Sequence, residues 1–365
     1  MPTVLDWNPT VDPSAYVPQL REALTAGDVV VLPGDVGYVA LVNPAAPTAL
    51  AQLRALSEIA EGPPAVLAFG PDDAVRFGLD VPTVARRLMF RAWPAPLAVA
   101  LSAKGAIFPG DWPENVRAAV VVDGLIRFRS PDHPAFDPLW PVLPGITLVA
   151  ETLLPSAEAV VESLAGKAGF ALSAGERPIG GRPSEILVDR DGWNLIPEGA
   201  FGADEIEKLA ARIILFVCTG NTCRSPLAEV LAEKLLADRL GCGIDDLPAR
   251  GFWVLSAGVS AYPGWPATPE SEEAGAAFGV DLRTHRSRPL NPQLMAAADD
   301  VVVMTSGHAQ VIASRYPGIG PGVRLLCEDG SDLDDPIGSG LDVYQECAQT
   351  ILKHLERFIP EWVGS

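Results

Sequence analysis

The sequence contains few cysteines, and none of them lies in its first half. The 365 residues include five: Cys218, Cys223, Cys242, Cys327 and Cys347. An odd number without framework spacing argues against a scaffold held together by disulfides. The sequence also lacks a cluster with metal-ligand spacing and a Gly-x-x-x-x-Gly-Lys nucleotide loop. We therefore expect the protein to use neither a metal nor a cofactor.

Positive charge is also scarce. Lys and Arg number 27 against 46 Asp and Glu, which gives a formal net charge of −19. This balance argues against broad binding to nucleic acid or to an anionic membrane, because phosphate groups are held by clustered cations. No apolar run approaches the roughly 20 residues that span a bilayer, and the first residues lack a signal-peptide pattern. We expect a cytoplasmic protein, whose oligomeric state the sequence does not define.

The length and the pattern of the chain predict two domains. A chain of 365 residues is longer than one typical core supports. Apolar, β-branched runs alternate with helix-forming segments in both halves, which predicts α/β folds. A helical connector at residues 203–212 follows the last strand of the first half. It predicts a boundary near residue 209, with domains at residues 1–207 and 211–365.

The most informative stretch joins a strand, a loop and a helix. Residues 212–217 form an apolar run that predicts a buried strand. Cys218 stands at the end of this run, and a polar loop separates it from Pro226. Proline is favoured in the first turn of a helix, and residues 227–236 are strong helix formers. The pattern therefore places a cysteine at a strand end whose loop leads into a helix N-terminus.

This placement predicts an anion site. The first N–H groups of a helix have no partners inside the helix and carry the positive end of its dipole, which suits a phosphate. Arg224 adds a cation whose planar fork matches two phosphate oxygens. The same field favours a thiolate, so we expect the pKa of Cys218 to lie below its ordinary value. We expect Gly220 to supply the backbone freedom that the curled loop requires.

The pattern Cys-x5-Arg-Ser, from Cys218 to Ser225, resembles the signature of the low-molecular-weight protein-tyrosine-phosphatase family. Two further pieces typical of that family follow in its order: Ser-Ala-Gly at residues 256–258 and an Asp-Pro pair beginning at Asp335. The resemblance covers about residues 211–360. It implies a Rossmann-like four-stranded parallel sheet with helices on both faces, and a phosphorylated protein as the substrate.

The resemblance also implies roles for individual residues. Cys218 would be the nucleophile, Arg224 would hold the phosphoryl oxygens, and Asp335 would be the general acid. Asp335 is preferred to its neighbour Asp334 because the acid of the family stands directly before proline. A cysteinyl-phosphate would form and would then be hydrolysed. The phosphate-binding loop would comprise Thr219, Gly220, Asn221, Thr222, Cys223, Arg224 and Ser225.

Three residues are expected to brace this loop. Ser256 is the serine that hydrogen-bonds the loop asparagine in the family, and Asn221 is that asparagine here. Asparagine tolerates left-handed backbone angles, which suits a strained loop. Ser225 is placed to donate to the sulfur of Cys218. His285 has a structural role in this interpretation.

Two side chains bear on the choice of substrate. Thr222 occupies the position that family members selecting phosphoarginine fill with threonine. Ile337 stands where aromatic residues are frequent in the family, which weakens stacking with a phenol ring. Phosphoarginine and phosphotyrosine both remain possible substrates, and we hypothesise a preference for phosphoarginine. Cys223 is either a partner that protects Cys218 from irreversible oxidation or a small wall residue.

A lesser alternative is an arsenate reductase. Such an enzyme shares the loop but relies on further redox cysteines. Cys327 and Cys347 are not spaced like such a relay.

The first half resembles the YrdC/Sua5 family, whose active members make threonylcarbamoyl-adenylate from threonine, bicarbonate and ATP. The resemblance covers about residues 15–207 and implies a twisted mixed α/β sheet. We expect Arg127, Arg129 and His133 to form either an anion pocket or a surface-exposed ion-pair cluster. The matching pieces, in the order of the family, are residues 27–33, 93–97, 126–134 and 180–184.

Several positions of that family have changed here. Glu58 and Glu61 stand where a Lys-x-Arg motif is expected, and residues 151–153 read Glu-Thr-Leu in place of Ser-x-Asn. The Pro-Thr-Asp-Thr turn has lost both hydroxyls, to Gly34 and Val36. Because ATP is bound by cations, amides or a metal, we expect a domain without synthase activity. A synthase or a nucleotide-sensing module is the alternative function of this half.

Overall fold

The computed structural model describes residues 2–60, 62–139, 141, 143, 145–152, 154–176, 181–189, 192–196 and 199–364. The chain divides into two compact units, Met1–Leu209 and Ala210–Ser365. Each unit is treated by itself below. Glu61, Leu153 and Gly180, which belong to sequence motifs named above, lie outside the described residues.

The described part of the first unit contains one mixed sheet. Its strands are β1 Thr3–Asp6, β2 Val29–Pro33, β3 Tyr38–Val42, β4 Ala65–Leu67, β5 Leu97–Ser102, β6 Leu125–Arg129, β7 Leu148–Thr152, β8 Ala168–Ser173, β9 Ser184–Val188 and β10 Trp193–Leu195. They lie in the order β1-β8-β2-β3-β7-β4-β6-β5-β9-β10. Strands β2 and β8 pair in parallel, whereas β2 and β3 pair antiparallel. The prediction of a mixed α/β sheet is confirmed.

Helices connect these strands. They are α1 Val17–Ala26, α2 Ala49–Leu56, α3 Pro71–Val75, α4 Thr83–Ala92, α5 Glu114–Val120, α6 Ala157–Ser163 and α7 Ala203–Ala210. Helix α1 shows how the sequence sets an end: Gly27 follows it in the left-handed conformation, with φ of 85°. Glycine adopts this conformation at little cost.

Strands β1 and β8 were not predicted from the sequence. Strand β8 reads Ala-Gly-Phe-Ala-Leu-Ser, and alanine and glycine have weak strand preference. It forms because it lies inside the sheet, paired on both sides by β1 and β2. Tertiary pairing therefore overrides the local preference of this segment.

The second unit is built on a parallel sheet of four strands in its described part. These are β11 Arg212–Cys218, β12 Phe252–Gly258, β13 Asp300–Val303 and β14 Val323–Leu325. Their order is β12-β11-β13-β14, and every pair is parallel. The prediction of a four-stranded parallel sheet is confirmed.

Helices connect the parallel strands, as parallel crossovers require. They are α8 Arg224–Leu240, α9 Pro269–Ala277, α10 Pro292–Ala297, α11 Ser306–Arg315 and α12 Leu341–Val363. Side chains of β11 alternate between two apolar clusters: Ile214 and Phe216 belong to one, and Leu215 and Val217 to the other. Both faces of the strand are therefore buried, which explains its continuous apolar sequence.

No helix in the part of the chain that the structure describes is long and apolar enough to cross a membrane. Nor do those residues contain a cluster of three or more His, Cys, Asp or Glu side chains that could hold a metal ion.

Candidate active site

Cys218 is the last residue of β11, which lies between β12 and β13. The chain runs from β11 through α8 to β12 and then crosses to β13 on the other side of β11. Such a reversal creates a crevice at the carboxyl ends of the strands, and open parallel sheets bind ligands there. The fold therefore places the sulfur at the position where a ligand site is expected.

The sulfur of Cys218 is buried and surrounded by hydrogen-bonding groups. Ser225 Oγ lies 3.0 Å from Cys218 Sγ, and the Asn221 backbone N–H donates to it at 3.3 Å. Burial raises the pKa of the Cys218 thiol, whereas the hydrogen bonds of Ser225 and Asn221 and the charge of Arg224 lower it. Burial has the larger effect, so the prediction of a lowered pKa is wrong. Removal from water destabilises the thiolate more than the surrounding hydrogen-bond donors and the Arg224 charge stabilise it.

In the loop it is Asn221, and not Gly220, that adopts the left-handed backbone conformation. Asn221 has φ of 56°, in the left-handed region, as its residue type allows. Gly220 is not among the residues with positive φ, so the prediction that it supplies this conformation is wrong. A different glycine is sterically required: a Cβ on Gly258 would lie 2.5 Å from the Thr219 carbonyl oxygen. This close approach explains the Ser-Ala-Gly end of β12.

Hydrogen bonds from several elements hold Asn221 in place. Its Nδ2 donates to Ser256 Oγ at 2.7 Å and to Ser225 Oγ at 3.0 Å. Its Oδ1 accepts from the Arg288 backbone N–H at 2.8 Å. His285 Nε2 lies 2.8 Å from its carbonyl oxygen. The contact between Asn221 and Ser256 is the one that the family resemblance implied, whereas the contact between Asn221 and Ser225 was not predicted.

Arg224 is the first residue of α8, and its side chain is only 4% exposed. One amino group donates to the Leu333 carbonyl oxygen at 2.9 Å, and the other lies 2.5 Å from Asp335 Oδ2. The buried Nε has no hydrogen-bond partner among the described residues. A buried N–H of a cation is costly to leave unpaired, and an anion in the loop is a partner of the right chemistry.

Asp335 reaches the loop from the segment between β14 and α12. Its side chain is 41% exposed and forms the ion pair with Arg224. The segment is anchored by Leu333, whose backbone N–H donates to the Met304 carbonyl oxygen at 2.8 Å. Asp334 and Ile337 are exposed on the same segment, Ile337 at 61%. Asp335 is thus the carboxylate that the structure brings to Arg224.

The remaining loop residues occupy distinct positions. Thr219 is exposed, and its Oγ1 lies 2.9 Å from His308 Nε2. Thr222 is half-buried. The Cys223 sulfur is buried, 3.6 Å from the hydroxyl of Tyr344. This packing is that of a wall residue, and a redox role for Cys223 stays a prediction.

Two residues near the site, Glu229 and His308, were missed from the sequence. Glu229 on α8 accepts from Ser256 Oγ at 2.5 Å and lies 3.8 Å from His285 Nδ1. Burial raises the pKa of the Glu229 carboxyl, while Ser256 and Arg288 oppose the shift. His308 is buried against the loop. No motif in the sequence points to Glu229 or His308, because each acts on a residue distant in the chain.

In the first unit, a cavity of about 370 Å³ is lined by residues that include Arg127, Arg129, Glu151 and Glu185. Both arginines are already paired. Arg129, 1% exposed, lies 2.5 Å from Asp35 Oδ1 and 2.9 Å from Glu151 Oε1. Arg127 contacts both carboxylate oxygens of Glu185 at 3.1 Å. The two arginines are thus in ion pairs, but these pairs are buried, so the prediction of a surface-exposed cluster is wrong in its location.

His133 does not belong to that cavity. Its Nδ1 accepts from the Ala135 backbone N–H at 3.1 Å, and its ring lies 4.5 Å from the ring of Trp7. The histidine starts a short 3-10 helix at Pro134–Phe136.

Comparison with known proteins assigns both halves to families. Residues 213–363 match the family model of low molecular weight phosphotyrosine protein phosphatase. Residues 22–199 match the Sua5/YciO/YrdC family model, described as telomere recombination. Both predicted resemblances are confirmed.

Individual relatives match the second half. The protein-arginine-phosphatase of Bacillus subtilis is 43% identical over 137 residues, which are 36% of this chain and 85% of the relative. A probable low molecular weight protein-tyrosine-phosphatase, EpsP of Ralstonia nicotianae, is 33% identical over 150 residues, 41% of this chain and 94% of the relative. A crystal structure of a YwlE mutant from Bacillus subtilis aligns at 37% identity with a TM-score of 0.37, covering 41% of this chain and 98% of that one. Through residues 213–363, this chain belongs to the low molecular weight phosphotyrosine protein phosphatase family.

Proposed function

We propose that this protein is a phosphatase that removes phosphoryl groups from arginine side chains of proteins through a cysteinyl-phosphate. The observation that carries the proposal is the arrangement around one loop. The Cys218 sulfur lies at its base, and the unpartnered Nε of Arg224 is buried beside it. Asp335 contacts the same arginine from the solvent side. A nucleophile, an oxyanion holder and a proton donor therefore share one site.

In the first step the sulfur attacks phosphorus. The reactive form carries a proton on Asp335 and none on Cys218. The sulfur electron pair forms the S–P bond while the P–N bond of phosphoarginine, or the P–O bond of a phosphate ester, breaks. Asp335 transfers its proton to the leaving atom, and Arg224 with the loop N–H groups holds the equatorial oxygens.

In the second step water releases phosphate. The water oxygen attacks phosphorus, the S–P bond breaks, and its electron pair returns to the sulfur of Cys218. Asp335 takes the proton of the water, which restores the starting form. Ser225 Oγ, 3.0 Å from the sulfur, donates to the leaving thiolate.

Two features support phosphoarginine as the substrate. Thr222 is half-buried in the loop, where a hydroxyl accepts from a guanidinium N–H. Ile337, 61% exposed on the segment of Asp335, offers an aliphatic surface and no ring for a phenol to stack on. The identity of 43% to a protein-arginine-phosphatase agrees with this choice.

The test compares turnover of one peptide carrying either phosphoarginine or phosphotyrosine. We expect the arginine form to be preferred, and Thr222→Ile to shift the preference towards tyrosine. A Thr222→Ile protein with unchanged preference would contradict the role of Thr222. Cys218→Ser should abolish turnover of both peptides. Cys242→Ser, at a half-buried cysteine after the end of α8, is the matched control and should retain it.

Properties of the other cysteines argue against arsenate reduction. Burial raises the pKa of Cys347 to about 12, and it also raises the pKa of Cys327. A resolving cysteine attacks as a thiolate, and a pKa of about 12 keeps Cys347 protonated near neutral pH.

For the first unit we infer a domain without synthase activity. Arg129 is paired with Asp35 and Glu151, and Arg127 with Glu185. The two arginines that could bind a triphosphate are therefore already paired with carboxylates. The full-length protein should release no pyrophosphate from ATP with threonine and bicarbonate. Pyrophosphate release that depends on threonine would contradict this inference.

A further inference from the structure

His308 connects two threonine hydroxyls at the edge of the phosphate loop. The residue is 6% exposed, in the first turn of α11. Its Nδ1 lies 2.9 Å from Thr305 Oγ1, and its Nε2 lies 2.9 Å from Thr219 Oγ1. Thr305 is the N-cap of the helix, and its Oγ1 accepts from the His308 backbone N–H at 3.2 Å.

The contacts fit the tautomer that carries its proton on Nε2. In it Thr305 Oγ1, as the N-cap, accepts one hydrogen bond and donates its own proton to His308 Nδ1. Burial lowers the pKa of His308, and the Arg224 charge lowers it further, while Asp335 and Asp332 oppose the shift. The imidazole is therefore neutral near pH 7, with its single proton on Nε2. That proton is donated to Thr219 Oγ1.

The hydroxyl proton of Thr219 is then free to be donated elsewhere. Among the described residues, Thr219 Oγ1 has no hydrogen-bond partner besides His308. Thr219 is exposed and directly follows Cys218 in the chain. Its backbone is held in place, since its carbonyl oxygen accepts from the Ser260 N–H at 2.9 Å. A fixed hydroxyl donor thus stands at the open side of the loop.

The start of α11 also holds the segment of the proton donor. The Ser306 backbone N–H donates to Asp332 Oδ1 at 2.6 Å, and Ser306 Oγ lies 3.1 Å from Asp332 Oδ2. Asp332 precedes Asp335 by three residues in the same segment. The start of α11 therefore contacts both the phosphate loop, through His308, and the segment that carries Asp335, through Ser306.

We propose that His308 is a positioning residue that fixes the Thr219 hydroxyl as a hydrogen-bond donor to a phosphoryl oxygen of the substrate. This inference rests on the proposed function, because it assumes that a phosphoryl group binds in the loop. Protonation of His308 places a proton on Nδ1 as well, which opposes the donor Thr305 and breaks the arrangement. The doubly protonated ring also repels the nearby Arg224.

The test is a double-mutant cycle in the full-length protein, with two readouts. Thr219→Val removes the hydroxyl and keeps the shape, and His308→Ala removes its orienting partner. Each should lower kcat/KM for an aryl phosphate and weaken binding of inorganic phosphate by roughly ten-fold to hundred-fold, the range for hydrogen bonds to charged groups. The double variant should lose no more than the larger single loss.

A conservative variant separates positioning from a structural role. His308→Gln presents an amide N–H to Thr219 and does not titrate. It should restore most of kcat/KM for the aryl phosphate and most of the affinity for inorganic phosphate. Thermal unfolding checks that each variant is folded. Where His308→Ala fails to fold, the comparison of His308→Gln with Thr219→Val carries the test.

Several outcomes would overturn the inference. Additive losses in the cycle, or a Thr219→Val protein with wild-type kinetics and phosphate affinity, would show that the two residues do not act together on the substrate. A His308→Gln protein no more active than His308→Ala would show that the imidazole does more than present an N–H to Thr219. A wild-type protein that binds phosphate but hydrolyses no phosphorylated compound would contradict the proposed function, and the binding cycle would still decide the role of His308.

Discussion

Arg224 and Asp335 form an ion pair of 2.5 Å in which one partner is 4% exposed and the other 41%. The group proposed to hold the phosphoryl oxygens and the group proposed to donate the proton are thus in contact with each other. We expect a phosphoryl group to compete with Asp335 for the guanidinium, since both are anions. Binding would then exchange one anionic partner of Arg224 for another and release the carboxyl for proton transfer.

Removal of the Asp335 carboxyl should change phosphate binding and the rate of the chemical step in opposite directions. In Asp335→Asn we expect kcat to fall by about 10²–10⁴-fold, the usual contribution of a general acid. Inorganic phosphate should inhibit the variant more strongly, because a competing negative charge is gone. Steady-state kinetics with phosphate as the inhibitor measures both effects. Asp334→Asn, at the exposed neighbour, is the control and should change neither value by more than about two-fold.

The Ser225 hydroxyl should set the pH at which Cys218 reacts. Its hydrogen bond lowers the pKa of the thiol against the larger effect of burial. Ser225→Ala should therefore raise the pKa by about one to two units, given roughly 1.5–3 kcal/mol for a hydrogen bond to a charged group. Alkylation requires the thiolate, so the pH midpoint of Cys218 alkylation, followed by mass spectrometry, should move upward.

Ser260→Ala is the matched control for that measurement, since Ser260 is exposed. Its midpoint should equal that of the wild type. An unchanged midpoint in Ser225→Ala would mean that the hydroxyl does not stabilise the sulfur anion.

Two substitutions of Asn221 should separate the stability contributed by its hydrogen bonds from the cost of its left-handed backbone. Asn221→Gly keeps a residue that tolerates φ of 56° and removes three side-chain hydrogen bonds. We expect a loss of about 2–4 kcal/mol in unfolding free energy, at roughly 1 kcal/mol for each bond. Asn221→Ala should be less stable than Asn221→Gly by about 1 kcal/mol, the cost of the left-handed backbone. Urea unfolding compares the two; equal stabilities would show that the strain is relieved elsewhere.

Glu233 on α8 should make stability depend on pH. Burial, followed by the charges of Glu229 and Asp245, raises its pKa from 4.5 to about 8. The folded protein therefore keeps a proton that the unfolded chain releases. The resulting stability is complete below pH 4.5 and is lost as the pH rises through about 8.

Substitution of this carboxyl should accordingly stabilise the protein at alkaline pH alone. Glu233→Gln should raise the unfolding free energy at pH 9 by about 1–3 kcal/mol, because each pKa unit is worth about 1.4 kcal/mol. At pH 5 the effect should be small. Urea midpoints at both values test this, with the exposed Glu346→Gln as the control. A gain in unfolding free energy that is equal at pH 5 and pH 9 would assign the effect to packing.

Much of the site was predictable because its parts are local in the chain. The buried strand, the Cys-x5-Arg-Ser loop and the helix beginning at Arg224 follow one another within residues 212–240. Apolar runs, a helix-starting proline and good helix formers specify such units without distant partners. The Asp-Pro pair at Asp335 was found through the family resemblance, since an acidic turn has no distinguishing local pattern.

The partners of the loop were much less predictable. Asn221 contacts Ser256, His285 and Arg288, which are 35, 64 and 67 positions away. Thr219 contacts His308 across 89 positions. No periodicity encodes such pairs, because they depend on how strands and helices pack. The same holds for strand β8, whose alanines and glycine form a strand only between two neighbours.

By itself the sequence determined that a cysteine and an arginine share one anion-binding turn, and that both halves are α/β. Only the tertiary structure decided the balance at the sulfur, where burial exceeds the effect of the hydrogen bonds and of the Arg224 charge and raises the pKa of Cys218. It also decided that Arg127 and Arg129 are paired with carboxylates. The physical reason is that desolvation and ion pairing depend on what covers a group, and residues far apart in the chain supply that cover.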